Sequence, residues 1–262
     1  MSKKLIIANW KMNLSIKDSK RLTRNLISYI RKIPQGVRGN FPEVVLCPSF
    51  SALSDVGQAI ASSKGAMRLG AQDCFWSTQG AFTGEESPLF LKELGVEYII
   101  IGHSERRMYL GETNEMISKK IQSCIAEKSL VPVLCVGEKK EERAVRDRER
   151  VISSQILSAI SLIRELKPKR PFVIAYEPVW AIGTGTPCTP ADCATIYSFI
   201  QDLLISHLGR AYTKKWCRIL YGGSVSAKNI NGFVSKGVSD GSLVGGASLN
   251  ARDFYIMIRS IL

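Results

Sequence analysis

Eight short apolar runs, too short for helices, punctuate the 262 residues: Leu5–Ala8, Val44–Cys47, Met67–Gly70, Tyr98–Ile101, Val131–Cys135, Phe172–Ala175, Arg218–Leu220 and Gly241–Val244. Runs of this kind suit strands buried on both faces, as in a parallel sheet. Most of the segments between them carry helical spacing, for example Leu22, Leu26, Tyr29, Ile30 and Ile33, then Ile117, Ile121 and Ile125, then Ile152, Ile156, Ala159, Ile160 and Ile163. A further helix is signalled by Thr189 as cap, Pro190 in the first turn and Asp192 as acidic partner. Strands alternating with helices, without hairpin signals, connect through right-handed crossovers, and eight such units can close so that no strand edge is exposed. The expectation is an α/β fold, one (β/α)8 barrel over residues 1–262, because no linker or low-complexity tract divides the chain. An open doubly wound sheet is the alternative, but no G-x-G-x-x-G follows the first run.

In such a barrel the chemistry lies on the loops after the strands. The first run ends in Asn9-Trp10-Lys11, the fourth in His103-Ser104-Glu105, the fifth in Cys135-Val136-Gly137-Glu138 and the sixth in Glu177. A solvated lysine and a structural histidine are the plain readings of Lys11 and His103 taken singly. Beyond Glu177 runs Pro178, Val179, Trp180, Ala181, Ile182, Gly183, Thr184, Gly185 and Thr186, a segment whose glycines suit a lid. The last two runs lead into Gly222-Gly223-Ser224 and Gly245-Gly246, either tight turns or backbone N–H cradles for an anion. A lysine, a histidine, a glutamate and an anion cradle on one rim suit proton transfer on a phosphorylated carbonyl compound. Glu177 would take the proton, while His103, Lys11 and Asn9 hold the oxygen on which charge develops. A lid that excludes water would keep the intermediate from shedding its phosphate.

Charge adds little to this. The formal net charge of +13 suits a phosphorylated metabolite or nucleic acid, yet the basic residues are dispersed. The densest run, Lys139 to Arg150, alternates sign like a solvated helix face, so nucleic acid is not the expected partner. The seven cysteines (Cys47, Cys74, Cys124, Cys135, Cys188, Cys193 and Cys217) are scattered without a C-x-x-C pair, which reads as reduced thiols. With two isolated histidines, His103 and His207, no metal site is expected. No signal peptide or membrane-length apolar stretch is visible, so a cytoplasmic protein without membrane contact is expected.

The segments ANWKMN (8–13), GAFTGE (80–85), IIGHSERR (100–107), CVGE (135–138), AYEPVWAIGTG (175–185), YGGS (221–224) and VGGASL (244–249) together resemble the triosephosphate isomerase family. The resemblance runs through nearly the whole chain. It implies interconversion of dihydroxyacetone phosphate and glyceraldehyde 3-phosphate by a homodimer without cofactor or metal. Residue by residue it implies Glu177 as base, His103 as electrophile, Lys11 as electrostatic anchor and Asn9 as a donor to the substrate's oxygens, with Glu105 meeting Lys11 and Cys135 supporting. Gly183, Ser224, Gly245 and Gly246 match the family's phosphate-binding donors. A glutamate base beside a neutral histidine, and loop closure over the site, are standard examples drawn from this family, so they come with the resemblance. The start of a helix at Ser104-Glu105 independently disfavours a charged imidazole at His103.

The loop Gln72 to Glu85 carries Phe75, Trp76 and Phe82. On composition these rings either fold back onto their own barrel or meet a partner. The resemblance implies the second, with Phe75, Trp76 and Thr83 at a dimer interface and Thr83 reaching the neighbour's site. Thr186 stands where the family commonly has lysine, a departure that bears on the lid. Two rivals remain: an isomerase of a four-carbon phosphorylated ketose with the same residues, and a basic binding module without activity.

Overall fold

The computed structural model describes residues 3–34, 39, 41–63, 65–166, 168–181 and 188–262. Eight strands form one closed parallel barrel: β1 (Leu5–Asn9), β2 (Glu43–Cys47), β3 (Arg68–Ala71), β4 (Val96–Ile101), β5 (Val131–Val136), β6 (Phe172–Tyr176), β7 (Cys217–Tyr221) and β8 (Gly241–Val244). Each expected run holds a strand, six of them longer by a residue or two, while the third is shifted by one, to Arg68–Ala71, which leaves Met67 outside β3. Closure is made by β8 on β1, with Leu5 opposite Gly241 and Ala8 opposite Val244.

Strand residues alternate between two cores, because successive side chains point to opposite faces. Leu5 and Ile7 join Val45, Tyr98, Val133, Val173 and Leu220 inside the barrel. Ile6 and Ala8 face outward into the layer shared with the helices. The helices are α1 (Ile16–Arg31), α2 (Leu53–Ala61), α3 (Pro88–Glu93), α4 (Ser104–Tyr109), α5 (Asn114–Ala126), α6 (Val145–Leu166), α7 (Pro190–Leu208), α8 (Arg210–Trp216), α9 (Ile230–Phe233) and α10 (Ala251–Ser260). In α1 the stripe Leu22, Leu26 and Ile30 is buried against the barrel, with the Ser15 hydroxyl capping the first turn through Asp18 N–H. Truncating Leu26 to Ala would cost about 2–5 kcal/mol by leaving a cavity there.

The expected start of α7 forms as a reciprocal cap: Thr189 Oγ1 accepts from Asp192 N–H at 3.1 Å, and Asp192 Oδ2 accepts from Thr189 N–H at 3.4 Å. Lys139–Arg150 is only partly helical. Lys140–Glu142 forms a single 3-10 turn and α6 begins at Val145. No described helix is long and apolar enough to cross a membrane.

Candidate active site

The strand ends deliver their polar residues to one cavity of about 450 Å³, lined by Asn9, Lys11, His103, Glu177, Ser224 and Gly245 among others. That is within the roughly 300–1,000 Å³ usual for small-ligand sites. A slightly larger hollow of about 500 Å³ lies at the barrel's other end, between Lys3, Phe41 and Arg68, away from every strand C-terminus.

Lys11 is the one non-glycine residue with positive φ among those described, at 52°. A left-handed conformation costs roughly 1–2 kcal/mol for such a residue, so its surroundings must hold it. They do so on both sides of the residue. Lys11 N–H donates to Asn9 Oδ1 at 3.1 Å, and Gln72 Nε2 donates to Lys11 O at 2.9 Å and to Cys47 O at 3.1 Å. The twist sends the side chain across the barrel mouth, where Nζ meets Glu105 Oε1 at 2.5 Å. Gln72 escaped the sequence reading because its partners are far away in the chain.

His103 caps α4, its Nδ1 accepting the backbone N–H of Glu105 at 3.2 Å. A backbone N–H always carries its proton, so Nδ1 is the bare nitrogen and the ring's proton sits on Nε2. Glu105 Oε2 also lies 3.6 Å from Nδ1, but that longer contact would need a protonated nitrogen already engaged as an acceptor. The helix start thus fixes the neutral tautomer.

Glu177 follows β6 and is buried, only 2% exposed. Its Oε2 accepts the N–H of Ser104 at 2.9 Å. Its Oε1 lies 3.1 Å from His103 Nε2, yet off the line of the N–H bond, and has no hydrogen-bond donor among the described residues. One carboxylate oxygen is therefore anchored and the other is vacant beside an electrophilic N–H. The backbone is fixed as well, since Glu177 N–H donates to Val136 O at 2.7 Å. Only glycine fits beside it at position 137, where an added Cβ would fall 1.7 Å from Glu177 O. Cys135 stands behind this residue, its thiol pushed well up by burial first and then by the charge of Glu177, so it remains a neutral neighbour.

Across the cavity, the N–H groups of Gly223, Ser224 and Gly245 donate to no acceptor among the described residues, and Gly246 begins a 3-10 turn (Gly246–Leu249). Gly222 differs: its N–H is taken by Tyr176 O at 2.7 Å. Lys11 reaches toward this side too, its Nζ 4.0 Å from where a Cβ on Gly245 would sit. Unpaired backbone donors beside an ammonium form a ready anion site. Among the described residues no group of three or more His, Cys, Asp or Glu converges to hold a metal ion.

Of the lid, Pro178, Val179, Trp180 and Ala181 are described, whereas Ile182, Gly183, Thr184, Gly185 and Thr186 lie outside the described residues. The described part is tied to the loop after β5. Trp180 Nε1 donates to Glu138 Oε1 at 2.8 Å, Tyr176 Oη donates to the same oxygen at 3.1 Å, and the Arg143 guanidinium lies 4.0 Å from the Trp180 ring centroid. Burial outweighs these two donors and pushes the Glu138 carboxyl up. Arg107 ties three elements together through Gly102 O, Asn114 Oδ1 and Cys135 O. Arg107 closes the IIGHSERR motif, which gave it no role, and Arg143 was not singled out by sequence pattern.

In the loop after β3, Phe75 stacks on Trp76 with centroids 3.9 Å apart and meets Phe82 at 4.5 Å with the ring planes tilted by 45°. Phe75 is buried in this stack while Phe82 and Thr83 are exposed.

A sequence model described as Triosephosphate isomerase matches residues 4–261. Curated proteins named triosephosphate isomerase are similar along nearly their full length. The one from Aquifex aeolicus is 42% identical, covering 98% of this chain and 99% of its own. Those of Carboxydothermus hydrogenoformans and Thermoanaerobacter sp. are 41% and 42% identical, covering 99% and 97% of this chain and 99% and 98% of their own. With the closed barrel and this set of strand-end residues, the chain belongs to the triosephosphate isomerase family.

Proposed function

We propose that Glu177, His103, Lys11 and Asn9 carry out the isomerisation that family membership assigns to this chain. That reaction is the interconversion of dihydroxyacetone phosphate and D-glyceraldehyde 3-phosphate, a step of glycolysis. The observation that carries the residue assignment is the vacant Oε1 of Glu177, 3.1 Å from His103 Nε2 and facing a cavity whose other wall offers unpaired N–H groups. The substrate's phosphate would rest on Ser224, Gly245 and Gly246, with Gly183 of the lid as a further donor. Its reacting carbons would then lie between Glu177 and His103. Glu177 takes the proton from the carbon beside the carbonyl, leaving an enediolate. His103 Nε2–H, Lys11 Nζ and Asn9 hold the oxygens as charge builds, the hydroxyl proton moves from one oxygen to the other, and Glu177 returns its proton to the neighbouring carbon. Glu105 keeps the Lys11 ammonium at the mouth of the site, and Cys135 backs the base. Lid residues Pro178 to Thr186 exclude water so that the enediolate keeps its phosphate.

The working unit is a homodimer. Met12 after β1, Phe82 after β3, and Met108, Tyr109 and Leu110 at the end of α4, which follows β4, are all exposed apolar residues. An apolar rim of this kind calls for a partner surface, and a second copy would cover it, with the loop of Phe75 and Trp76 at the interface and Thr83 beside the neighbour's Asn9 and Lys11. The seven free cysteines, six of them buried, fit a reducing compartment such as the cytoplasm.

The test is turnover by purified protein on both trioses and on a four-carbon phosphorylated ketose, with light scattering on the same sample. Isomerisation confined to the trioses by a dimer is the expected result. Preference for the four-carbon substrate, or a fully active monomer, would overturn the corresponding assignment.

A further inference from the structure

One polar side chain interrupts the apolar stripe of α6. Ile152, Ile156 and Ala159 are buried, and Gln155 stands among them, 9% exposed. Its amide serves a single residue: Gly137 N–H donates to Gln155 Oε1 at 2.8 Å, and Gln155 Nε2 donates to Gly137 O at 3.2 Å. Because a backbone N–H is always a donor, the two ends of the amide cannot be exchanged.

The place of Gly137 explains why both of its groups need a partner. Along an extended strand, alternate residues send their N–H and C=O to the same side. Past the end of β5 the side facing β6 is used by Val136 O, which accepts Glu177 N–H at 2.7 Å, and by Glu138 O, which accepts Val179 N–H at 3.1 Å. Gly137 therefore turns its groups toward β4, but β4 ends at Ile101, opposite Leu134. Side chains take over where that strand stops. Arg107 Nη2 donates to Cys135 O at 3.2 Å, and the Gln155 amide then offers Gly137 the acceptor and the donor that a neighbouring peptide would have supplied. Among the described residues no other hydrogen bond reaches the Gly137 N–H or C=O. Nor is the space beside them filled, since a cavity of about 290 Å³ opens here, lined by Cys135, Gly137, Gln155, Glu177 and Val179 among others.

The Gly137 backbone in turn bears on the base, since a Cβ there would fall 1.7 Å from Glu177 O and 3.3 Å from Glu177 Cα. We propose that Gln155 is a positioning residue for Glu177: by completing the open edge of β5 it holds residues 136–138 extended, and so fixes the backbone that carries the base and the start of the lid. The proposal rests on the assignment of Glu177 as the base. Gln155 does not line the substrate cavity, so its effect belongs to the chemical step rather than to binding.

The test compares Gln155→Leu, Gln155→Glu, Glu177→Gln and the double variant Q155L/E177Q, reading kcat, KM and competitive inhibition by inorganic phosphate, with circular dichroism as the check on fold. Gln155→Leu removes both bonds at similar volume. A displacement of about 1 Å can cost ~10², so kcat should fall about 10- to 100-fold while KM and phosphate inhibition stay within about twofold. Should the leucine variant not fold, Gln155→Met, apolar and more adaptable, takes its place. Gln155→Glu keeps the acceptor, and its carboxyl regains the donor when protonated. Its kcat relative to the parent should therefore lie well above that of the apolar variant at about pH 5.5. Because Gln155 acts through Glu177, removing its amide should cost little more in the Glu177→Gln background. A merely structural glutamine would lower thermal stability and leave kcat in the folded fraction unchanged, and that result would overturn the proposal. So would losses that multiply in the double variant, or a glutamate variant no better than the apolar one at acid pH. Normal kcat in Glu177→Gln would instead remove the base assignment itself, and this inference with it.

Discussion

Replacing Glu177 by Gln keeps the side chain's shape and removes its basicity. The anchored oxygen decides how the amide must sit: Ser104 N–H donates at 2.9 Å, so the glutamine carbonyl takes that place. The NH2 group is then left 3.1 Å from His103 Nε2, facing the nitrogen that carries the ring proton. Two donors would oppose each other there. The ring cannot relieve this by moving its proton to Nδ1 without losing the Glu105 N–H bond. Loss of a general base typically costs about 10²–10⁴ in rate, or roughly 2.7–5.4 kcal/mol at 1.36 kcal/mol per decade. With His103 displaced as well, the loss is expected at the upper end. Conversion of glyceraldehyde 3-phosphate, coupled to NADH-dependent reduction of the product, would measure kcat, with far-UV circular dichroism and phosphate inhibition as checks on fold and site. Glu177→Asp is the companion variant, since it keeps a carboxylate but withdraws it by about 1.5 Å, and a displacement of about 1 Å can cost ~10². If Glu177→Gln kept more than a tenth of normal kcat with native circular dichroism and phosphate inhibition, the base would have to be another group.

Asp73 is held by Lys120 and Arg106, yet burial outweighs the Lys120 charge and raises its carboxyl from 3.8 to about 6. Because the folded value lies above the unfolded one, the stability linked to this proton is full below about pH 3.8 and is lost as pH rises through 6. Asp73→Asn, standing in for the protonated form, should therefore become more stable than the parent chain by up to about 3 kcal/mol between pH 4 and pH 7 in urea titrations. A variant less stable than the parent at pH 7 would show that the two ion pairs outweigh burial. Trp180→Phe keeps a ring for Arg143 but removes the donor to Glu138, a hydrogen bond to a charged group worth about 1.5–3 kcal/mol. Urea titration should show that loss, and an unchanged midpoint would mean that the Trp180–Glu138 bond contributes nothing net. Deleting residues 75–78 should give a monomer by light scattering with sharply reduced turnover, whereas full turnover in that monomer would refute a role for Thr83 across the interface.

The strands were legible because a barrel strand is buried on both faces, so its run is continuous and needs no partner to be recognised. The capped start of α7 was legible for a different reason: its signal lies within four consecutive residues. What escaped was whatever depends on distant pairs. Gln72 acts on Lys11 across 61 positions, and Trp180 on Glu138 across 42. Their sequence neighbours carry no mark of either contact. α8 escaped too, being a short helix split from α7 by Gly209, whose φ of 87° no other residue type adopts readily. Motif resemblance placed Glu105 beside Lys11 correctly, but only the geometry showed that Gln72 and Asn9 hold Lys11 in its left-handed conformation.

The net charge of +13 takes on a physical meaning once the helices are placed. A charge of this sign suits an anionic substrate, yet six of the 36 basic residues lie at the wrong end for that. Arg31, Lys92, Arg164, Lys214, Lys215 and Arg259 stand in the last turns of α1, α3, α6, α8 and α10. These helices run back against the strands, so their C-termini gather at the end of the barrel opposite the site. A helix C-terminus carries about half a negative charge, and each cation placed there contributes roughly 0.3–1 kcal/mol when exposed. A ring of parallel helices concentrates those partial charges on one face, so basic residues there offset a repulsion that the fold itself creates. At the site end, by contrast, the ammonium of Lys11 is already paired with Glu105. On the proposed assignment of the cradle, attraction of the substrate would depend on the local N–H donors there as well as on the overall charge.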